Sequence, residues 1–87
     1  MIEKYFVYVL SSKLRRYLYV GMTYDFDRRM RDHQSGYNRT TKPYLPFDLI
    51  LKEEYMTRDK ARIREKELKT SSGKRWLYKK REVQKEE

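Results

Sequence analysis

Five side chains in this sequence are of the types that hydrolyse phosphodiester bonds: Tyr8, Tyr19, Arg29, His33 and Glu65. A carboxylate can hold Mg²⁺ together with water and a substrate phosphate, and an arginine can stabilise charge that develops on phosphate oxygens. A tyrosine hydroxyl can orient or deprotonate the attacking water, although its ordinary pKa of about 10 makes it a weak base unless a cation lies nearby. Taken singly, each residue has a plainer explanation, because strand tyrosines usually pack in a core and helical arginines usually face solvent.

Both tyrosines belong to a predicted β-hairpin. Residues 4–11 (KYFVYVLS) and 17–22 (YLYVGM) are rich in β-branched and aromatic residues, and the segment between them is polar. Because side chains alternate across a strand, Phe6, Tyr8 and Leu10 are expected on one face. If residue 8 pairs with residue 19, the hairpin closes on a two-residue turn at 13–14 and the two tyrosines lie side by side.

The arginine and the histidine belong to a predicted helix over residues 26–35. Asp25 is a suitable N-cap residue, and Gly36 suits the helix end. Since Arg29 and His33 are four residues apart, they are neighbours on one flank of that helix.

The segment after this helix, residues 36–46 (GYNRTTKPYLP), is predicted to be a functional loop. It is rich in bases, hydroxyls and tyrosines, and it is about as long as a connection without its own secondary structure usually becomes. Five of its residues could stack on bases or contact phosphates of a nucleic acid: Tyr37, Asn38, Arg39, Lys42 and Tyr44. A solvated connector is the alternative interpretation.

The glutamate lies on a second predicted helix, which begins after a Thr57 cap and runs to about residue 69. One face of this helix is predicted to be buried through Ala61, Leu68 and Ser72. Glu65 lies in the middle of that face, where a carboxylate is costly unless something compensates it. Alternatively, Ile63, on the opposite side, marks the buried face and Glu65 is solvated.

The order of these elements predicts the fold class. A third strand is expected over 47–55, and Gly73 is expected to separate the second helix from a last short helix in KRWLYKKR (74–81). The prediction is an α+β fold in which a three-stranded antiparallel sheet is flanked by helices. We expect one domain over residues 1–80 and a disordered charged tail over 81–87.

Charge indicates the class of partner. The chain has 22 lysines and arginines against 13 acidic residues, a net charge of +9, which favours binding to polyanions such as nucleic acids. It has no cysteine, so neither disulfides nor thiolate metal sites are expected. No apolar run approaches the roughly 18 residues of a membrane span. We therefore expect a cytoplasmic protein that binds nucleic acid and no membrane.

The tripeptides FVY (6–8) and YVG (19–21), Arg29 eight residues after Gly21, and the helical segment REKELK (64–69) with Glu65 resemble the GIY-YIG nuclease superfamily. Within that superfamily, the chain is similar to the small stand-alone bacterial proteins that consist of this domain alone. The resemblance runs from about Lys4 to Lys80, which is nearly the whole chain.

The resemblance implies a role for each candidate residue. Tyr8 corresponds to the general base or its assistant, and Tyr19 to the residue that positions water and phosphate. Arg29 corresponds to the arginine that contacts the scissile phosphate. His33 occupies a position held by histidine or tyrosine, and Glu65 corresponds to the carboxylate that holds a divalent metal, Mg²⁺ or Mn²⁺.

Two positions depart from the family pattern. Phe6 replaces the first glycine of the name-giving motif, which we expect to affect packing more than chemistry. Met22 stands after the structural Gly21 where excision-repair relatives carry a lysine, which removes one cation from the site.

The function that the resemblance implies is a metal-dependent endonuclease that hydrolyses DNA in repair or processing, with low sequence specificity, as a monomer or weak dimer. The main alternative is a catalytically weak or inactive module that binds DNA or RNA. An RNA- or ribosome-associated protein is a third alternative, which rests on charge alone.

Overall fold

A computed structural model describes residues 4–86 of the chain, and the side chains of residues 4–84. The elements, in chain order, are β1 (Tyr5–Ser12), β2 (Leu18–Thr23), α1 (Phe26–Ser35), β3 (Phe47–Tyr55), α2 (Arg58–Lys69) and α3 (Ser71–Glu86). A short 3₁₀ turn over Lys42–Tyr44 interrupts the loop before β3. The strands form an antiparallel sheet in the order β2-β1-β3, so the predicted α+β fold is confirmed.

Both faces of the sheet are covered, and the strand alternation assigns side chains to each face. On one face, Val7 and Val9 of β1 pack with Ala61 and Leu68 of α2 and Leu77 of α3. On the other face, Tyr8 and Leu10 pack with residues of α1 and of the loop that follows it. The predicted alternation along β1 is therefore confirmed, and the central strand is apolar on both sides.

The predicted hairpin register is wrong by two residues. Tyr8 pairs with Gly21, and Tyr19 pairs with Leu10. The connection is longer than predicted because Ser12 organises it: its hydroxyl accepts hydrogen bonds from the backbone amides of Leu14 and Arg15 at 3.3 and 3.1 Å. A shift of two residues keeps every side chain on its predicted face.

Helix α1 has the predicted bounds and caps. The Asp25 carboxylate accepts a hydrogen bond from the amide of Arg28 at 3.2 Å. Gly36 ends the helix in the left-handed region with φ of 80°, which glycine adopts without steric cost.

Helix α2 also has the predicted bounds, and Thr57 caps it through a hydrogen bond to the amide of Lys60. Ala61 and Leu68 are buried as predicted, whereas Ile63 is 62% exposed. Glu65 belongs to the inward half of the helix, since only 12% of its side chain is exposed. The prediction for Ser72 is wrong: it is exposed and belongs to α3, because α2 ends at Lys69.

Helix α3 is longer than predicted. It begins at Ser71, contains Gly73 and continues through Glu86. Residues 81–86, for which a disordered tail was predicted, are helical, and the Gln84 side chain donates a hydrogen bond to the Ile50 carbonyl at 3.3 Å. Residue 87 of that tail and residues 1–3 of the predicted domain lie outside the described residues. Among the residues described, none of the helices is long and apolar enough to cross a membrane.

Gly73 lies inside α3 because α2 and α3 meet there at close range. A Cβ atom on Gly73 would lie 2.8 Å from the Cα of Leu68 and closer still to the carbonyl oxygen of Glu67. Both obstacles are backbone atoms, which cannot rotate away as a side chain does.

We predict that Gly73→Ala destabilises the protein by about 1–3 kcal/mol, although the same change in an unobstructed helix stabilises by up to about 1 kcal/mol. Urea unfolding of wild type and variant measures the difference. Ser72→Ala, at the exposed neighbouring position, is the control and should change stability by less than about 0.5 kcal/mol. A Gly73→Ala protein as stable as the wild type would contradict the proposed close approach.

Candidate active site

A cleft of about 560 Å³ runs along the outer edge of β2. Its lining includes four of the five predicted catalytic residues, Tyr8, Tyr19, Arg29 and Glu65, together with Gly21. The rest of the lining consists of Tyr17, Leu18, Val20, Met22, Lys69 and Lys74.

The topology explains how residues so distant in sequence meet. Strand β2 is at the edge of the sheet, so its outer side is open to groups from both faces. Helix α1 follows β2 after a two-residue connection and brings Arg29 to the face that carries Tyr8. Helix α2 packs on the opposite face and brings Glu65 to the same edge.

Gly21 provides the space that the Tyr8 ring occupies. A Cβ atom on Gly21 would collide with the Cζ and hydroxyl of Tyr8 and would lie 2.9 Å from Cε1 of Tyr19. The ring centroids of the two tyrosines are 6.1 Å apart. The predicted proximity of Tyr8 and Tyr19 is therefore present, as a diagonal rather than a direct cross-strand pair.

His33 lies behind Tyr8. The Tyr8 hydroxyl is 2.9 Å from Nε2 of His33, and Nδ1 of His33 is 2.8 Å from the hydroxyl of Thr41. Tyr8 is 1% exposed, and the other two residues are fully buried. The three side chains form a hydrogen-bonded chain that leads from the cleft into the protein.

Burial and local charge set the protonation states in this chain. Burial, reinforced by neighbouring Tyr19, raises the pKa of Tyr8 well above its ordinary value, and the charge of Arg29 offsets this only in part. Burial, followed by the charge of Arg29, lowers the pKa of His33 below its ordinary value of 6.5. At neutral pH Tyr8 is therefore protonated and His33 is uncharged. A neutral imidazole has one donor and one acceptor nitrogen, so Nε2 can accept from Tyr8 while Nδ1 donates to Thr41.

Glu65 is the acidic residue that lines the cleft. Its carboxylate is 3.3 Å from Nζ of Lys69 and 3.7 Å from a guanidinium nitrogen of Arg62. Among the described side chains, no group of three or more histidines and acids could hold a metal ion. One carboxylate is nevertheless enough for Mg²⁺, which keeps several waters and also takes substrate phosphate as a ligand. The residues of the cleft therefore fit such an ion.

The loop residues predicted to bind nucleic acid have different environments. Tyr37 is 81% exposed, and Arg39 and Lys42 are also exposed. Asn38 orders the loop, because its side-chain oxygen accepts hydrogen bonds from the amides of residues 40 and 41. Tyr44 is stacked on Tyr17, with 3.6 Å between the ring centroids, so one face of its ring is already covered.

Three residues of the site were not predicted from the sequence. Thr41 lies in the segment that was singled out as functional, but its eight-residue separation from His33 follows no regular spacing. Lys69 and Lys74 line the cleft from α2 and α3, and their positions depend on how the helices pack. The two lysines provide cations in a cleft where Met22 replaces the lysine of excision-repair relatives.

Comparison with known proteins shows the same domain. The family model for the GIY-YIG catalytic domain matches residues 4–80. A UPF0213 protein of Staphylococcus saprophyticus is 32% identical over 76 residues, which cover 86% of this chain and 92% of that protein. The solution NMR structure of a UPF0213 protein from Bacillus halodurans is similar with a TM-score of 0.54 and 30% identity, covering 87% of this chain and 83% of that one.

We predict that Thr41→Val destabilises the protein by about 1–3 kcal/mol, because the nearly isosteric change leaves a buried nitrogen of His33 without its partner. Denaturant unfolding measures the loss. Thr40→Val, at the exposed neighbouring position, removes a hydroxyl of the same kind and should cost less than about 0.5 kcal/mol. Equal effects of the two variants would argue against a role for Thr41 in holding His33.

We also predict that His33 makes the protein less stable as the pH falls from 7 to 5. The folded state holds His33 with a lowered pKa, so below pH 6.5 the unfolded chain binds a proton that the folded protein does not, and stability falls until the folded pKa is reached. The slope can reach about 1.4 kcal/mol per pH unit.

Since His33 is the only histidine in the chain, NMR titration of its Cε1 proton measures its pKa directly. Carboxylates also change the stability as the pH falls, and they do so in both wild type and His33→Gln. The difference between the unfolding free energies of the two proteins at each pH therefore gives the contribution of His33. A His33 pKa at or above 6.5 would contradict this prediction.

Proposed function

Because this chain belongs to the GIY-YIG family, we propose that it is a metal-dependent endonuclease that hydrolyses phosphodiester bonds in DNA, with low sequence specificity. The family match points to a nuclease and so to a nucleic acid as substrate. The observation that carries the proposal is the β2-edge cleft, where two phenols, one guanidinium and one carboxylate lie together. A role in DNA repair or processing is part of the proposal.

Arg29 and Tyr19 bind the scissile phosphate in this proposal. Arg29 is exposed and lines the cleft, so its guanidinium is free to form paired hydrogen bonds to two phosphate oxygens. Its positive charge stabilises the negative charge that builds up on those oxygens as water attacks. Tyr19 lines the same cleft and adds its hydroxyl.

Tyr8 and His33 handle the proton of the attacking water. Since Tyr8 is protonated at neutral pH, it does not act as a preformed phenolate base. As water attacks phosphorus, its proton passes to the Tyr8 oxygen while the Tyr8 proton passes to Nε2 of His33, 2.9 Å away. The burial that lowers the pKa of His33 makes it give the proton up again once the leaving oxygen or solvent can take it.

Glu65 holds the divalent ion, Mg²⁺ or Mn²⁺, in this proposal. When bound, such an ion supplies positive charge to the phosphate and lowers the pKa of water. The partners of Glu65 do not prevent this, because Arg62 and Lys69 are each about half exposed and such long side chains can turn their charged ends into solvent. Once released, Lys69 can face the substrate, as can Lys74.

The charge and the loop residues favour binding with little sequence preference. A net charge of +9 attracts the phosphate backbone irrespective of base sequence. Exposed Tyr37, Arg39 and Lys42 are proposed to add stacking and phosphate contacts beside the cleft, and Asn38 and Tyr44 to hold the loop in shape. One active site in a monomer or weak dimer would nick a single strand per encounter.

We predict that Glu65→Gln and Arg29→Ala each lower metal-dependent cleavage at least about 100-fold, because each removes charge stabilisation in the transition state. The assay uses labelled single strands, duplexes, flaps, branched junctions and RNA with Mg²⁺ or Mn²⁺. Glu67→Gln on α2 and Arg31→Ala on α1, both at exposed positions, are the matched controls and should cleave as the wild type does.

Full activity in Glu65→Gln would disprove the proposed mechanism. If the wild type cleaves nothing under either metal but still retards the same substrates in a gel, the protein is a binding module, the alternative that the sequence left open. Preference for RNA over DNA in this panel would correct the proposed substrate.

A further inference from the structure

A second, smaller pocket lies between the β1–β2 connection and α3. It has a volume of about 210 Å³ and is lined by Ser12, Lys13, Leu14, Arg15, Arg16 and Arg81. Four of these six residues carry positive charge, and no acidic residue belongs to this lining among the described side chains. The composition is that of an anion site.

Two of the cations of this pocket lie against one aromatic ring. The Arg16 guanidinium carbon lies 4.0 Å from the centroid of the Tyr78 ring, and that of Arg81 lies 5.5 Å from it. Ser12 fixes the connection through hydrogen bonds to the amides of residues 14 and 15 and to the Tyr44 carbonyl. A pocket with such preset cations loses less entropy on binding a ligand than one with mobile side chains.

The local charge is not balanced within the protein. The side chain of Arg81 is only 12% exposed, and its buried Nε has no hydrogen-bond partner among the described residues. Its ion pair with the exposed Glu82 is 3.7 Å long, which is a weak contact. Lys13 has an acid partner in Asp48, whereas the described structure contains no ion pair for Arg15 or Arg16.

We propose that this pocket binds a backbone phosphate of the nucleic-acid substrate on one side of the cleavage site. The assignment rests on the proposed nuclease function for its substrate. The position of the pocket relative to the active site follows from the geometry of α3. On that helix, Lys74, Tyr78 and Arg81 fall on one face at four- and three-residue spacing. Lys74 lines the active-site cleft, and Arg81 lines the second pocket. One helix face thus connects the two sites.

The length of this helix face gives the scale of the separation between the two sites. Seven residues from Lys74 to Arg81 span about 10 Å of helix. The phosphate in the second pocket is therefore not the scissile phosphate but one a few nucleotides away along the substrate, and a substrate that ends at the cut does not reach it.

The test uses the double variant Arg15→Ala/Arg16→Ala, in which both changed residues are exposed, and Lys66→Ala as the control. Lys66 is an exposed cation of α2 that lines neither pocket. Fluorescence anisotropy with a labelled DNA duplex in EDTA measures affinity without cleavage. We expect the double variant to bind about 10-fold more weakly, with a salt-dependence slope smaller by about one, because each phosphate contact contributes about 0.9 to that slope. Lys66→Ala should behave as the wild type.

Steady-state cleavage kinetics on long and minimal substrates separate an effect on substrate positioning from an effect on the chemical step. For oligonucleotides that extend well past the cut, KM of the double variant should rise while kcat stays the same. For a minimal substrate such as bis(p-nitrophenyl) phosphate, both constants should match the wild type. Unchanged affinity and unchanged KM in a protein that cleaves DNA would overturn the pocket assignment and leave the nuclease proposal intact.

The affinity measurement remains decisive if no cleavage is found. Weaker DNA binding by the double variant would then support the pocket. The absence of cleavage would reject only the nuclease function. Free phosphate is the competing occupant, and NMR of the amides of residues 12–16 distinguishes it. Shifts with DNA support the proposal, whereas equal shifts with inorganic phosphate, together with unchanged DNA affinity, overturn it.

Discussion

The need to satisfy the buried hydroxyl of Tyr8 constrains much of this structure. The Tyr8 ring extends from β1 and is buried against Gly21 of β2. An unpaired hydroxyl in that position would cost about 1–3 kcal/mol. His33 of α1 provides the partner, and Thr41 provides the partner of His33. Three chain segments are thereby joined in one polar chain within an apolar layer. The loop after α1 is ordered at Thr41 for this reason, although most of its other residues face solvent.

The edge strand imposes a second constraint. The outer side of β2 presents backbone groups that could pair with another strand, a hazard that proteins commonly limit with charge. Here Arg29, Lys69 and Lys74 border that edge. The same cations that discourage strand pairing create a cleft with an attraction for phosphate, so protection of the edge and the proposed substrate binding have a common physical basis.

Much of the site was predictable because it depends on local rules. Strand alternation placed Tyr8 on its face, and a cap and a glycine bounded α1. Helical spacing offered the face of Ala61 and Leu68 as one of two positions for Glu65, and the structure has Glu65 on that side. The hairpin register was not predictable, since a shift of two residues preserves the faces, and the features that distinguish the two pairings are the space that Gly21 leaves for Tyr8 and the connection that Ser12 organises.

Other features depend on tertiary packing. Gly73 was read as a helix boundary, because glycine usually marks one, but it lies inside α3 where the backbone of α2 leaves no room for a Cβ atom. Ser72 was predicted on the buried face of α2, but α2 ends at Lys69 and Ser72 lies in α3. Thr41 and the lysines of the cleft have no sequence signature, because their roles arise from side chains that meet only after the helices have packed.

In the proposed mechanism, Arg29 couples substrate binding to proton transfer. Its charge lowers the pKa of His33 and also lowers that of Tyr8. When phosphate neutralises this charge, His33 becomes the better proton acceptor, and Tyr8 becomes still less able to exist as a phenolate. Both changes favour transfer of the proton through Tyr8 to His33 over a charged Tyr8 intermediate. Burial, which is the larger influence on both groups, keeps the pair uncharged until the phosphate arrives, so the same desolvation that holds the core together also restrains the site when no substrate is bound.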